Sequence, residues 1–253
     1  MRKLTGILLS LALVSAFAVP AHAEPGVSAK SAMLMHADSG RVLYEKNADE
    51  HMLIASTTKI MTAIVVLEHC ALDELVEVDE RSAGIEGSSM YLKAGESYTV
   101  EDLLYGLMLA SGNDAASALA LHVADSLEDF AALMNEKAAA LGMTESSFKN
   151  PHGLDEEGHY STARDMAKLA AYCMENPDFA RIAGTVSHTM GEQTYVNHNR
   201  LLREYDGCLG LKTGYTMAAG RTLVTCAERD GARYVCVTLN DPDDWDDHKA
   251  LYD

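Results

Sequence analysis

Apolar and polar residues follow helical spacing in the middle of the chain. From Ser56 to Met174, several segments place apolar residues three and four positions apart, which predicts helices packed on one face. The first is apolar nearly all round, which predicts a buried central helix. Helices are predicted over Ser56–Glu68, Val100–Ala110, Asn113–His122, Leu127–Leu141 and Ser161–Met174.

Strand patterns lie on both sides of this helical block. Alternating or short apolar runs predict strands over Ser31–His36, Arg41–Glu45, Thr185–Met190, Thr194–Val196, Leu209–Gly214, Arg221–Ala227 and Arg233–Leu239. Asp230-Gly231 is a two-residue hairpin turn signal, and Trp245 begins a last helix. The expected fold class is therefore α/β of the α+β type, with one antiparallel sheet built from both ends of the chain and an inserted helical lobe. The cleft between sheet and lobe is the expected substrate site.

The first 23 residues have the pattern of an export signal. Arg2 and Lys3 precede an apolar run from Leu4 to Val19, and Ala21-His22-Ala23 follows as a cleavage site. The sequence predicts a signal peptide at 1–23 and an exported domain at 24–253. An uncleaved anchor is the alternative, although the run is shorter than the roughly 20 residues of a membrane span.

Net charge excludes one class of partner. The chain carries a formal charge of −18, which repels nucleic-acid phosphates. No GxxxxGK loop for nucleotide phosphates occurs. The acidic cluster Asp241–Asp247 is expected to be a solvated helix entry.

The five cysteines predict no metal site, because none forms a CxxC pair. We expect them to be small buried hydrophobic residues that catalysis does not need. With Asp230-Gly231 as the turn, Cys226 faces Val235, so Cys226 and Cys236 lie on opposite faces and form no disulfide.

Three short motifs carry the candidate chemistry: Ser56–Lys59, Ser111–Asn113 and Lys212–Gly214. The first places a serine and a lysine three residues apart at a helix start, on one face. A serine hydroxyl needs a base to become a nucleophile, and a lysine of lowered pKa can be that base.

The other two motifs suit substrate binding. Ser111 could pass a proton and Asn113 could bind a substrate amide, while Lys212 and Thr213 could hold a carboxylate. Gly214 would let a substrate backbone lie along the strand. Each motif alone is also typical of an ordinary helix start, loop or edge strand, so only the combination is specific.

Together the motifs resemble the serine set of penicillin-binding proteins and class A β-lactamases. The chain most resembles the low-molecular-weight D-alanyl-D-alanine carboxypeptidases, the S11 peptidase family. The supporting stretches are Ala55–Met61, Leu109–Ala115, Phe148–Asp155, Tyr160–Leu169 and Gly210–Thr216.

The resemblance implies roles for individual residues. The implied catalytic residues are Ser56 as the acylated nucleophile, Lys59 as its base, and Ser111. The implied substrate-binding residues are Asn113, Lys212, Thr213, Gly214 and Tyr215, with the backbone N–H groups of Ser56 and Tyr215 forming an oxyanion hole. The implied substrate is a peptidoglycan stem peptide ending in D-Ala-D-Ala, with β-lactams as covalent inhibitors and no metal or organic cofactor. The implied role is in cell-wall organisation and cell shape.

Family members usually continue into a β-rich second domain and an amphipathic segment that attaches to the membrane. This sequence ends at Asp253, so both are expected to be absent from it. A class A-like β-lactamase is one alternative, although no Glu-x-x-Leu-Asn segment occurs. A non-catalytic cell-wall or β-lactam binding module is another, and a transpeptidase or endopeptidase of the same superfamily is a third.

Overall fold

The computed structural model describes residues 26–253, so the predicted signal peptide lies outside the described part of the chain. Its strands are β1 (Ser31–His36), β2 (Val42–Lys46), β3 (Leu75–Glu77), β4 (Ser97–Thr99), β5 (Ser187–Met190), β6 (Gln193–Val196), β7 (Cys208–Thr216), β8 (Gly220–Arg229) and β9 (Ala232–Leu239). Five of them form an antiparallel sheet in the order β2-β1-β9-β8-β7. The first two and last three strands thus form one sheet, which confirms the expected architecture.

The helices are α1 (Lys59–His69), α2 (Val100–Leu109), α3 (Asn113–Val123), α4 (Leu127–Ala140), α5 (Ala163–Cys173), α6 (Pro177–Ala183), α7 (Leu201–Glu204) and α8 (Asp244–Tyr252). Six of them, α1 to α6, lie in the lobe between β2 and β5. No helix within residues 26–253 is both long and apolar enough to cross a membrane.

Side-chain caps mark the starts of several of these helices. The Thr99 hydroxyl accepts a hydrogen bond from the Asp102 N–H at 3.1 Å, as the Thr-x-x-Asp pattern suggests. Ser126 and Thr162 cap α4 and α5 in the same way. Each cap satisfies a backbone donor that the helix itself leaves without a partner.

Helix α1 lies in the centre of the molecule and is buried over its first eight residues, from Lys59 to Val66. It packs against α2, α3, α4 and α5, and its start meets β7. The predicted helical start at Ser56 is a 3-10 turn, Ala55–Thr58, that leads into α1. Ser56 is therefore held in a tight turn rather than in a regular helix.

The expectation of a solvated acidic helix entry is wrong for three of its five aspartates. Asp241, Asp244 and Asp247 are buried near the start of α8. The Ser28 hydroxyl lies within hydrogen-bond distance of carboxylate oxygens of both Asp241 and Asp247, at 2.7 and 2.9 Å. Arg221 pairs with Asp244 at 2.6 Å. Ser28 comes from the other end of the described chain, and these partners replace only part of the water that burial removes from the carboxylates.

The predicted register of the last hairpin is confirmed. Cys226 pairs with Val235 across β8 and β9, so Cys226 and Cys236 lie on opposite faces of the sheet. Both thiols are buried, as is Cys173, and the cysteines within the described residues form no disulfide.

Candidate functional site

A cleft of about 510 Å³ opens between β7 and the start of α1. Its lining residues are Ser56, Ser88, Ser111, His198, Thr213, Gly214, Tyr215, Arg221, Asp244 and Trp245. The structure thus brings five of the predicted site residues to one surface. The other three, Lys59, Asn113 and Lys212, are buried at the cleft wall.

The turn that carries Ser56 is fixed from both sides. The Thr58 hydroxyl lies 2.8 Å from His159 Nε2. Gly153 lies against the turn with φ +87°, and a Cβ there would be 2.0 Å from the carbonyl oxygen of Ala55. Only glycine fits both this backbone conformation and this close approach. The position of the Ser56 hydroxyl is therefore set by tightly packed backbone.

Lys59 joins the three parts of the site. Its Nζ lies 3.0 Å from Ser56 Oγ, 2.7 Å from Asn113 Oδ1 and 2.6 Å from the His152 carbonyl oxygen. The last two oxygens can only accept hydrogen bonds. A neutral Lys59 would donate its two N–H groups to them, which directs its lone pair at the Ser56 hydroxyl. The geometry suits removal of the serine proton.

Electrostatics favour this neutral form. Burial lowers the pKa of Lys59 well below its ordinary value of 10.5, and the positive charge of Lys212 lowers it further. The carboxylate of Asp114 opposes the shift. Burial removes water that would stabilise the ammonium, and the second cation repels it, so both effects produce a base.

Asn113 takes a different place from the one expected. Both ends of its amide are engaged within the protein, since Oδ1 accepts from Lys59 and Nδ2 donates to the Glu86 carbonyl at 2.6 Å. Its side chain is buried behind the cleft. The contact with Glu86 fixes which end of the amide faces Lys59, so Asn113 is placed to orient the lysine.

Lys212 is also less exposed than a simple carboxylate-binding residue would be. Its Nζ donates to the Thr213 carbonyl at 2.9 Å. Burial lowers the pKa of Lys212 to about 7, so in the absence of substrate both protonation states are populated near neutral pH. The expected carboxylate binding by Lys212 would itself restore the charge, because a bound carboxylate favours the ammonium form.

Gly214 is required by packing of the strand on the turn. A Cβ at this position would lie 2.4 Å from Thr222 Oγ1 and 2.8 Å from the backbone nitrogen of Ser56. The glycine lets β7 lie directly against the turn that carries the nucleophile. The sequence predicts a small residue here for contact with the substrate, whereas the contact observed is within the protein.

Several cleft residues carry no signal in the sequence. Arg221 enters the cleft from β8, pairs with the buried Asp244 and lies 5.5 Å from the centre of the Trp245 ring. Ser88 and His198 also line the cleft. The His152 carbonyl lies in the Phe148–Asp155 stretch that carries the family resemblance, but no motif spacing links it to Lys59.

The antiparallel sheet, the inserted helices and the Ser–Lys pair before the buried central helix define the transpeptidase-like fold of penicillin-binding proteins and DD-peptidases. Within that class, the chain belongs to the S11 peptidase family, described as D-alanyl-D-alanine carboxypeptidase, whose sequence pattern matches residues 18–243.

Relatives of this family are similar over most of the chain. D-alanyl-D-alanine carboxypeptidase DacF of Bacillus subtilis is 41% identical over 93% of this chain and 64% of its own length. DacC of Escherichia coli is 41% identical over 89% of this chain and 60% of its own length. The chain thus spans less than two thirds of these two relatives. The DD-transpeptidase structure of Streptomyces K15 has TM-score 0.87 at 32% identity, covering 91% of this chain and 98% of that one.

Proposed function

We propose that the protein is a serine-type D-Ala-D-Ala carboxypeptidase that removes the terminal D-alanine from peptidoglycan stem peptides. The observation that carries the proposal is the contact of Lys59 Nζ with Ser56 Oγ at 3.0 Å, made by a lysine whose pKa burial and Lys212 lower well below its ordinary value. Family membership and the names of the relatives support the substrate class.

In the proposed reaction, Ser56 Oγ attacks the carbonyl carbon of the penultimate D-alanine while its proton passes to Lys59 Nζ. The peptide C–N bond then breaks. The terminal D-alanine leaves as an amine that takes back a proton through Ser111. Water hydrolyses the remaining ester, which restores Ser56 and releases the shortened peptide. Backbone N–H groups of Ser56 and Tyr215 would stabilise the oxyanion, and Thr213 with Lys212 would bind the terminal carboxylate.

The carboxyl groups of the site favour a peptidase over a β-lactamase. Among the described residues, Asp244 is the one carboxylate that lines the cleft, and it is paired with Arg221. A β-lactamase of class A type needs a glutamate placed to activate the deacylating water. We therefore propose that β-lactams acylate Ser56 and clear slowly. Transfer of the acyl group to an amine is the second candidate, because the similar Streptomyces K15 structure is that of a DD-transpeptidase.

The location follows from the sequence pattern. We propose that 1–23 is a signal peptide and that 24–253 is a transpeptidase-like domain that works outside the cytoplasm, in cell-wall organisation. The basic head, apolar run and small-residue cleavage site of the first 23 residues support export. Mass spectrometry of the secreted protein checks this proposal, since cleavage should leave Glu24 as the first residue.

Mass spectrometry also tests the activity. The protein is incubated separately with a labelled penicillin and with a peptide ending in D-Ala-D-Ala, with and without an added amine acceptor. We expect a persistent penicilloyl adduct on Ser56, release of one D-alanine, and no adduct in Ser56→Ala. An adduct that persists in Ser56→Ala would overturn the assignment, and a product joined to the acceptor would favour the transpeptidase.

A further inference from the structure

A second groove, of about 590 Å³, opens beside the catalytic cleft and shares Ser88 and His198 with it. One wall is the loop around Ser88–Tyr91, and the other is formed by β6 and the turn that leads to α7. The groove lies outside the three sequence motifs. A ligand that fills the cleft can therefore continue into the groove past the two shared residues.

Internal hydrogen bonds hold the loop wall in place. The Asp114 carboxylate accepts hydrogen bonds from the Ser89 hydroxyl at 2.6 Å and from the Met90 and Leu92 N–H groups at 2.9 and 3.1 Å. The loop holds Tyr91 at φ +64° with 80% of its surface exposed. A bulky residue rarely adopts this conformation, and here it places an aromatic ring on the groove rim.

Internal hydrogen bonds also hold the opposite wall of the groove in place. The Asn197 amide donates to the carbonyl groups of Ala183 and Thr185 at 3.1 and 3.0 Å and accepts from the Asn199 N–H at 2.9 Å. This turn positions His198 and leads to Arg203. A preformed site binds its ligand with little loss of conformational entropy.

The groove contains an arginine without a carboxylate partner. Apart from Arg41 and Arg203, every arginine within residues 26–253 forms an ion pair. Arg203 Nη1 makes one long contact, 3.4 Å, with the Asn197 carbonyl oxygen. The neighbouring Glu204 is engaged with Arg200 at 2.9 Å. In a protein of net charge −18, an unpaired guanidinium facing a groove is available for an anionic ligand.

We propose that this groove binds the upstream part of the peptide substrate, and that Arg203 binds a carboxylate carried by that part. The inference rests on the proposed function. The terminal carboxylate of the substrate would lie at Thr213 and the scissile bond at Ser56, and the groove offers the upstream residues a path out of the cleft past Ser88 and His198. Tyr91 packs against the same segment at the rim.

Three substrates separate the roles of groove and cleft. They are a short blocked D-Ala-D-Ala peptide, a longer peptide with an upstream carboxylate, and the same longer peptide with that carboxylate amidated. Arg203→Gln should lower kcat/KM for the carboxylate peptide about fivefold, as for a partly exposed ion pair, and the effect should be confined to that peptide. For the parent protein, kcat/KM for the longer peptide with the carboxylate should exceed that for its amidated form by a similar factor. Tyr91→Ala should lower kcat/KM for both longer peptides.

Arg41→Gln is the matched control, because Arg41 is also exposed and without an ion pair, and it lies at the β1–β2 turn away from the groove. Arg41→Gln should leave kcat/KM for all three substrates unchanged. The inference would be overturned if Arg203→Gln lowered kcat/KM equally for all three substrates or lowered it for none of them. The proposed function would still stand in either case. A parent protein that neither forms a penicilloyl adduct nor releases D-alanine from any peptide would instead overturn the proposed function.

Discussion

At the scale of single residues, two buried lysines lie close together with different surroundings. Lys59 meets two oxygens that can only accept hydrogen bonds and one hydroxyl that can also donate. Lys212 contacts the Thr213 carbonyl and lies next to the part of the cleft proposed to bind the carboxylate. Burial lowers the pKa of both. The neutral form is the active one for Lys59, whereas substrate binding would restore the charge on Lys212.

Arginine at position 59 separates the roles of charge and basicity. Lys59→Arg places a permanent cation beside Ser56 and supplies no base, because arginine does not deprotonate in proteins. Acylation of Ser56 by penicillin should fall by about a hundredfold or more, the usual contribution of a general base. Stopped-flow measurement at saturating and limiting penicillin reports the loss.

The matched variant for this test is Lys212→Arg. It preserves the charge proposed to bind the carboxylate, so it should lose mainly affinity and retain most of the acylation rate at saturation. If Lys59→Arg acylates at close to the parent rate, Lys59 is not the base and the proposed mechanism is wrong.

At the scale of elements, the nucleophile depends on a turn clamped between two other segments. Gly153 packs against the Ala55 carbonyl on one side, and Gly214 packs against the Ser56 nitrogen on the other. Helix α1 then extends this fixed start into the core. Ser56 and Lys59 keep their contact because the 3-10 turn and the first turn of α1 hold both backbones.

Gly153→Ala tests how strongly this clamp matters. The new Cβ would lie 2.0 Å from the Ala55 carbonyl oxygen, so the turn must shift. Gly142→Ala is the control, since Gly142 also has positive φ but nothing within 4 Å of its added Cβ. The control should lose about 1–2 kcal/mol of unfolding free energy from backbone strain alone.

The clash in Gly153→Ala should add roughly 1–3 kcal/mol to that loss and should also slow acylation of Ser56. Urea unfolding and penicillin acylation measure the two effects. Equal stability and equal acylation in the two alanine variants would show that the Gly153 contact does not position the nucleophile.

Local signals explain which elements the sequence predicts well. The long helices have apolar periodicity and caps such as Thr99, and the Asp230-Gly231 turn fixes the last hairpin. Helices α6 and α7 are too short for a periodic pattern, although Asn176 before Pro177 is a cap signal for α6. The Ser56–Lys59 contact is predictable because it lies within one turn of backbone.

Contacts between distant segments are not predictable in this way. The Asn113 and His152 contacts of Lys59 join residues 54 and 93 positions apart along the chain. The burial of the acidic cluster depends on Ser28, which lies more than 200 positions away. A prediction from composition places these carboxylates in solvent, because composition contains no information about such partners.

At the scale of the whole molecule, Ser28 and the acidic cluster join the first described residues to the last helix. The Ser28 N–H donates to Asp247, and the Ser28 hydroxyl lies within hydrogen-bond distance of both Asp247 and Asp241. Asp241 Oδ2 is buried without a protein donor among the described residues. Burial raises the pKa of Asp241 to about 6, and the neighbouring Asp247 adds to the increase. A protonated Asp241 can donate a hydrogen bond to Asp247, which relieves the repulsion between the two.

This arrangement predicts a pH-dependent part of the stability. Because the folded pKa of Asp241 exceeds the ordinary value of 3.8, its contribution is fully present below pH 3.8 and is lost as pH rises through about 6. The loss should be on the order of 3 kcal/mol. Asp241→Asn imitates the protonated carboxyl, so the variant should gain that amount of unfolding free energy relative to the parent between pH 4 and 7.

Asp246→Asn, at an exposed position of the same helix, is the control, and its unfolding free energy should change by less than about 0.5 kcal/mol at both pH values. Urea unfolding across this range measures the difference, and a parent and Asp241→Asn that lose stability in parallel would contradict the shared proton.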